Sequence, residues 1–137
     1  MVTAADTRWR GNTLNMWGPP TDPQWAANDR YLHAEQLRGT TLYVSTGTGT
    51  PGALDTSDGP GIDGKLISQI VSGGVLEAIT NQGAHDLRKR LQELDIPAAC
   101  DFRGVGTHSW VYWQQGLHNS WPLFAAALGA TNARSAR

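Results

Sequence analysis

Among the four histidines of this 137-residue chain, His108 has the setting for proton transfer. It lies in Gly104–Trp113, GVGTHSWVYW, behind Gly104, Gly106 and Thr107 and ahead of Trp110, Tyr112 and Trp113. The glycines put it on a loop, and the aromatic run can wall a dry pocket around an imidazole. Such a histidine serves as general base and then general acid in nucleophilic catalysis. It needs a carboxylate to fix its tautomer and a hydroxyl to deprotonate. Upstream stand Asp55, Asp58, Asp63, Glu77, Asp86, Glu93, Asp95 and Asp101, and spacing alone does not choose among them. Glu77 is the only carboxylate between Leu66 and His85, flanked by Leu76, Ala78 and Ile79. No G-x-S-x-G elbow occurs to supply the nucleophile. None of Ser45, Ser57, Ser68, Ser72, Ser109, Ser120 or Ser135 sits in such a sequence. The chain reads as the acid and base of a site whose attacking serine is elsewhere.

Other chemistries fit less well. No two histidines have H-x-x-x-H spacing and the single cysteine, Cys100, has no partner, so no metal site is expected. The Gly/Thr run at 46–50 lacks the lysine and spacing of a phosphate loop. His33 and His85 lie in polar helical contexts and read as solvated; His118, beside an apolar stripe, reads as structural.

The elements that must hold His108 follow from the pattern. Residues 1–39 are a loop-rich arm: Pro19, Pro20 and Pro23 interleave with Trp17 and Trp25, which excludes a long helix or central strand. A short helix near Tyr31–Leu37 closes the arm. Thr40–Thr46, TTLYVST, is β-branched and aromatic and reads as a strand running into the turn GTGTPG, 47–52. Residues 52–64 are rich in Gly, Asp, Ser and Pro and are expected to be mobile. Leu66–Leu94 has helical spacing, with Leu66, Ile67, Ile70 and Val71 as one apolar stripe and Leu76, Ile79, Leu87, Leu91 and Leu94 continuing it. Gly73, Gly74 and Gly83 each weaken a helix by about 1 kcal/mol relative to Ala, so two or three helical pieces are expected. Pro97 stops them, and Ala98–Phe102 reads as a second strand. Strand, helical crossover and strand make a βαβ unit with parallel strands. From Ser109 a last helix carries Trp113, Leu117, Trp121, Phe124 and Leu128, with Pro122 expected to kink or split it and Gly129 to cap it. The tail, 130–137, reads as frayed.

Length allows about one domain, burying roughly two-thirds of its unfolded surface. Eleven basic and 12 acidic residues give a net charge of -1, which argues against a nucleic-acid partner. One cysteine permits no intrachain disulfide. There is no run of about 18 apolar residues, hence no transmembrane segment. MVTAADTRWRG has no apolar core, so no signal peptide is expected. Six tryptophans suit a large aromatic core or a surface for flat apolar or sugar ligands.

Four pieces in order resemble the C-terminal half of the antigen 85 type mycolyltransferases, esterase-like α/β-hydrolases. Met16-Trp17-Gly18-Pro19 with Asp22-Pro23, Trp25 and Asn28-Asp29 resembles the family's MWGP…DP.W..ND segment. Leu42–Pro51 is similar to its strand and G-x-G-T-P turn, Leu76-Glu77 with Thr80 to its glutamate helix, and Gly106–Trp110 with Tyr112-Trp113 to its G-T-H-S-W-x-Y-W histidine motif. The resemblance implies an α/β fold, the C-terminal portion of an α/β-hydrolase over residues 1–137, its parallel sheet incomplete in this chain. It implies Glu77 as the triad acid and His108 as the base. It sets Trp110 beside the sugar, and Val71 and Val75 along the acyl channel. The implied reaction is mycolyl transfer from trehalose monomycolate to another trehalose or to cell-wall arabinan, with no cofactor, in a secreted or cell-envelope protein.

The family's elbow and oxyanion loop precede the matched region, so the isolated chain is expected to be inactive and to depend on an N-terminal half or on self-association. Thr46 stands where many relatives carry a cysteine, so thiol-directed inactivation there should fail. Beyond Trp113 the match fades. The alternatives are a non-catalytic carbohydrate- or matrix-protein-binding relative, which trehalose or arabinan binding would reveal, and a simple carboxylesterase on short acyl esters.

Overall fold

A computed structural model describes residues 18–56 and 66–130 of the chain. The Met16-Trp17 part of the arm, Asp58 and Asp63, and the tail beyond 130 lie outside the described residues, as does most of the 52–64 segment. The described elements are helix α1 (Pro23–Ala27), a 3₁₀ turn (Ala34–Leu37), strand β1 (Tyr43–Thr46), helix α2 (Leu66–Glu93), strand β2 (Ala99–Phe102) and helix α3 (Trp110–Ala127).

β1 and β2 pair in parallel, Tyr43 opposite Ala99 through Thr46 opposite Phe102, with α2 as the crossover. The expected βαβ unit is present, its strands shorter at their N-terminal ends than the β-branched runs suggested. One side of β1 faces a core of Ala34, Leu91 and Ile96, joined by Leu37, Leu42, Leu87, Leu94 and Ala98. The other side meets α3: Tyr43 packs edge-on against Phe124 at 6.5 Å between centroids. Its hydroxyl donates to Asp101 Oδ2 at 2.8 Å. Helices thus cover both faces of the strand pair, as parallel strands require.

Several local expectations are refined or corrected. The described part of the proline-rich arm holds only a five-residue helix, as the exclusion of a long one allows, because its prolines fall at or before the start. Pro23 occupies the first helical position and Asp22 Oδ1 caps the end by accepting from Gln24 N at 2.9 Å. The helix near Tyr31–Leu37 is a 3₁₀ turn of four residues.

α2 is one continuous helix of 28 residues, not two or three pieces. Gly73 and Gly74 are sites of close approach within it. A Cβ on Gly74 would stand 2.6 Å from the Gly49 carbonyl oxygen, and one on Gly73 would stand 3.4 Å from His108 N. The contacts that need glycine offset its poor propensity. Two residues past the end of α2, Asp95 has a φ of 52° that lets Ile96 N return to Leu91 O at 2.9 Å, and Pro97 follows.

Two residues of the first apolar stripe of α2 do not enter the core: Ile67 is 79 % exposed and Val71 57 %. The helix packs instead on its neighbouring face, which carries Gly74 and Glu77.

Pro122 lies inside α3 without ending it. Pro122 and His118, whose carbonyl loses its donor, are both on the solvent side, where water can take over. Gly129, at φ 70°, follows the last turn and donates to Ala126 O at 3.1 Å.

Candidate active site

Three segments converge at the carboxyl ends of the two strands. β1 runs into Gly47–Gly52, and β2 runs through Arg103 into the loop that ends at His108. Both meet the glycine pair of α2. Gly49 N donates to Gly106 O at 2.9 Å and Gly106 N to Thr50 O at 2.7 Å. These bonds run both ways, so the two loops form one unit. Gly49 (φ 85°) and Gly106 (φ 117°) hold backbone angles that other residues rarely adopt. His108 N donates to Gly73 O at 3.3 Å, which seats the loop on the helix.

Glu77, one turn beyond Gly73, is 4 % exposed. Its Oε2 lies 2.9 Å from His108 Nδ1. Its Oε1 accepts from Gly47 N at 2.6 Å and Thr46 Oγ1 at 3.1 Å. Arg103 Nη2 stands 3.9 Å from the same oxygen. Burial pushes the Glu77 carboxyl up, but hydrogen bonds from His108, Gly47 and Thr46 outweigh it and hold the group below its usual value. Glu77 is therefore a carboxylate and can only accept. His108 Nδ1 must carry the proton, and the free lone pair falls on Nε2. Among the described residues nothing hydrogen-bonds to Nε2, and the side chain is 32 % exposed. The arrangement is a buried anion orienting an imidazole whose outer nitrogen can take up a proton.

Aromatic rings cover part of that imidazole. Trp113 meets His108 edge-on at 4.7 Å, and Trp110 meets Trp113 at 5.5 Å. Tyr112 was expected in the same wall but turns the other way. It is buried beneath the loop, donates to Asp55 Oδ2 at 2.9 Å and carries the Arg103 guanidinium over its ring at 5.2 Å. Trp110 is 53 % exposed, and Val71 and Val75 lie on the open stripe of α2.

The remaining histidines lie away from Glu77. His33 Nε2 bonds Ala26 O at 2.9 Å, the His85 ring meets Phe102 at a tilt of 58°, and His118 is exposed instead of packed. Of the carboxylates considered, Asp55, Asp86, Glu93, Asp95 and Asp101 make no bond to His108. Sequence reasoning missed Thr46 and Gly47 as partners of Glu77. Their place at the carboxyl end of a parallel strand, where such sheets build their sites, was the available signal. Among the described residues no group of three or more His, Cys, Asp or Glu could hold a metal ion. No helix among them is long and apolar enough to cross a membrane.

Comparison with known proteins shows the family. The model of a putative esterase family matches residues 5–124. The chain belongs to that family. The family implies an α/β-hydrolase-like fold, with which the parallel pair and its helices are consistent. The chain is 33 % identical over 121 residues to the diacylglycerol acyltransferase/mycolyltransferase Ag85B of Mycobacterium avium, covering 85 % of this chain and 32 % of that protein. It is 34 % identical over 109 residues to Ag85B of Mycobacterium leprae, 76 % of this chain and 29 % of the relative. Against Ag85A of Mycobacterium tuberculosis it is 32 % identical over 122 residues, 85 % of this chain and 32 % of the relative. The chain thus spans about a third of the length of the curated relatives it matches. It is an antigen 85-like member of the esterase family.

Proposed function

We propose that these residues supply the acid and base of a Ser-Glu-His acyl-transfer site acting on acyl sugars, trehalose mycolates above all. The observation that carries this reading is the buried Glu77 carboxylate 2.9 Å from His108 Nδ1, with Nε2 left free among the described residues. The serine would come from polypeptide outside these 137 residues, which we read as the C-terminal portion of an α/β-hydrolase domain. His108 Nε2 takes the proton of that serine as its oxygen bonds to the ester carbonyl. Glu77 stabilises the imidazolium that results. The tetrahedral intermediate collapses, the sugar oxygen leaves with the proton from Nε2, and the acyl group stays on serine. A second sugar hydroxyl, deprotonated by the same nitrogen, then bonds to the acyl carbon, and the serine oxygen leaves with the proton from Nε2. No cofactor enters. Trp110, exposed beside His108, offers a flat face to the sugar, and Val71 and Val75 offer an apolar edge to the acyl chain. The names of the relatives, acyltransferases all, support the reaction class.

The test is covalent labelling. A fluorophosphonate probe is expected to leave the 137-residue chain unlabelled. Robust labelling that His108→Ala blocks would place the nucleophile inside the chain and overturn this division of roles.

A further inference from the structure

One carboxylate beside the histidine loop is not used by the acid–base pair. Asp55 lies at the end of the Gly47–Thr56 segment. Its Oδ1 accepts a short hydrogen bond from Thr107 Oγ1. Its Oδ2 accepts from Tyr112 Oη at 2.9 Å and from Gly52 N at 2.8 Å. The three donors belong to three places: the residue directly before His108, the first turn of α3 directly after it, and Asp55's own loop. Thr107 is fully buried and Tyr112 nearly so, so neither hydroxyl has water as an alternative partner. The cross-loop bonds at Gly49, Thr50 and Gly106 fix the glycine side of the turn. Near Thr107 the side-chain tie is the one to Asp55.

We propose that Asp55 is a positioning residue, a second carboxylate that holds both flanks of the turn so that His108 keeps Nδ1 on Glu77. It touches neither the imidazole nor Glu77 and acts through Thr107 and Tyr112. The proposal rests on the acid–base reading of Glu77 and His108, and it explains why this site contains two acidic side chains when the chemistry needs one. A charged acceptor suits the task, since hydrogen bonds to ionised groups are roughly twice as strong as neutral ones.

The experiment follows solvent exchange of the His108 Nδ1 proton by NMR in the full 137-residue chain with ¹⁵N-labelled histidine. Asp55→Ala is expected to speed that exchange about tenfold, the equivalent of one charge-assisted hydrogen bond of about 1.4 kcal/mol. Thr107→Val, close in shape and without the hydroxyl, is expected to do the same in part, and it serves if Asp55→Ala fails to fold. The double variant should match Asp55→Ala alone, because both changes cut the same tie. Folded variants whose Nδ1 proton exchanges at the parent rate, or single effects that multiply in the double variant, overturn the clamp. Glu77→Ala separates the two ideas. If it frees the proton while Asp55→Ala does not, only the clamp fails. If Glu77→Ala leaves the proton protected, the acid–base pairing fails, and the clamp with it.

Discussion

Replacing Gly74 and Gly83 of α2 by alanine sets helix propensity against close approach. Both lie inside the helix, so each replacement gains about 1 kcal/mol of propensity. At Gly83 nothing lies within 4 Å of the added Cβ, and the gain stands unopposed. At Gly74 the Cβ would be 2.6 Å from the Gly49 carbonyl oxygen. Carbon–oxygen contacts settle at about 3.3 Å, so helix and loop must part by about 0.7 Å. Both belong to packed backbone, and overpacking of this kind costs about 1–3 kcal/mol. The same displacement stretches the 2.6 Å bond from Gly47 N to Glu77, and weakening a bond to a charged group costs about 1.5–3 kcal/mol. After the propensity gain, Gly74→Ala should lose about 1.5–5 kcal/mol while Gly83→Ala gains about 1 kcal/mol. For a chain of this size the two midpoints should move in opposite directions, by about 3–5 °C per kcal/mol. Thermal unfolding measures the midpoints, and urea unfolding at about 25 °C measures the free energies. A Gly74→Ala chain as stable as Gly83→Ala would refute the claim that the glycine pair exists to admit the loop.

The remaining expectations concern single side chains. The folded-state carboxyl of Glu77 lies below its ordinary value of 4.5, so the unfolded chain binds the extra proton as pH falls. Its contribution to stability is full above the unfolded value and is lost as pH drops through the folded one. Unfolding followed against pH should show Glu77→Gln less stable than the parent at neutral pH, with the two curves converging below about 4.5; parallel curves would mean that the ionised form is not favoured. Among the described residues Ser109 Oγ is buried without a hydrogen-bond partner, although Ser109 stands at the N-cap of α3. Ser109→Ala should therefore cost less than about 0.5 kcal/mol in thermal unfolding, where a working cap would cost about 1 kcal/mol.

The strands, their order and the crossover helix were legible because β-branched runs, a 3.6-residue period and Pro97 act locally. The His108 loop was legible too, since glycines before an aromatic run mark a turn wherever they occur. What could not be read was tertiary. All 12 Asp and Glu residues precede His108, and only packing of α2 on the strand ends sets Glu77 against it across 31 positions of sequence. The same applies to Gly73 and Gly74, which read as breaks because their contacts come from Gly49 and His108. Periodicity marks Ile67 and Val71 as an apolar face but does not say what meets that face. Pro122 does not split α3, because its cost depends on whether the freed carbonyl faces water.

The central claim is that Glu77 and His108 are the acid and base of an acyl-transfer site whose serine lies outside these residues. It is tested most directly by grafting residues 1–137 in place of the matching segment of an antigen 85 type relative and assaying acyl transfer to trehalose. The folded chimera should be active, and His108→Ala or Glu77→Gln should each lower kcat by about 10³-fold or more without loss of fold. A folded chimera that is inactive, or one whose activity survives both substitutions, would contradict the account.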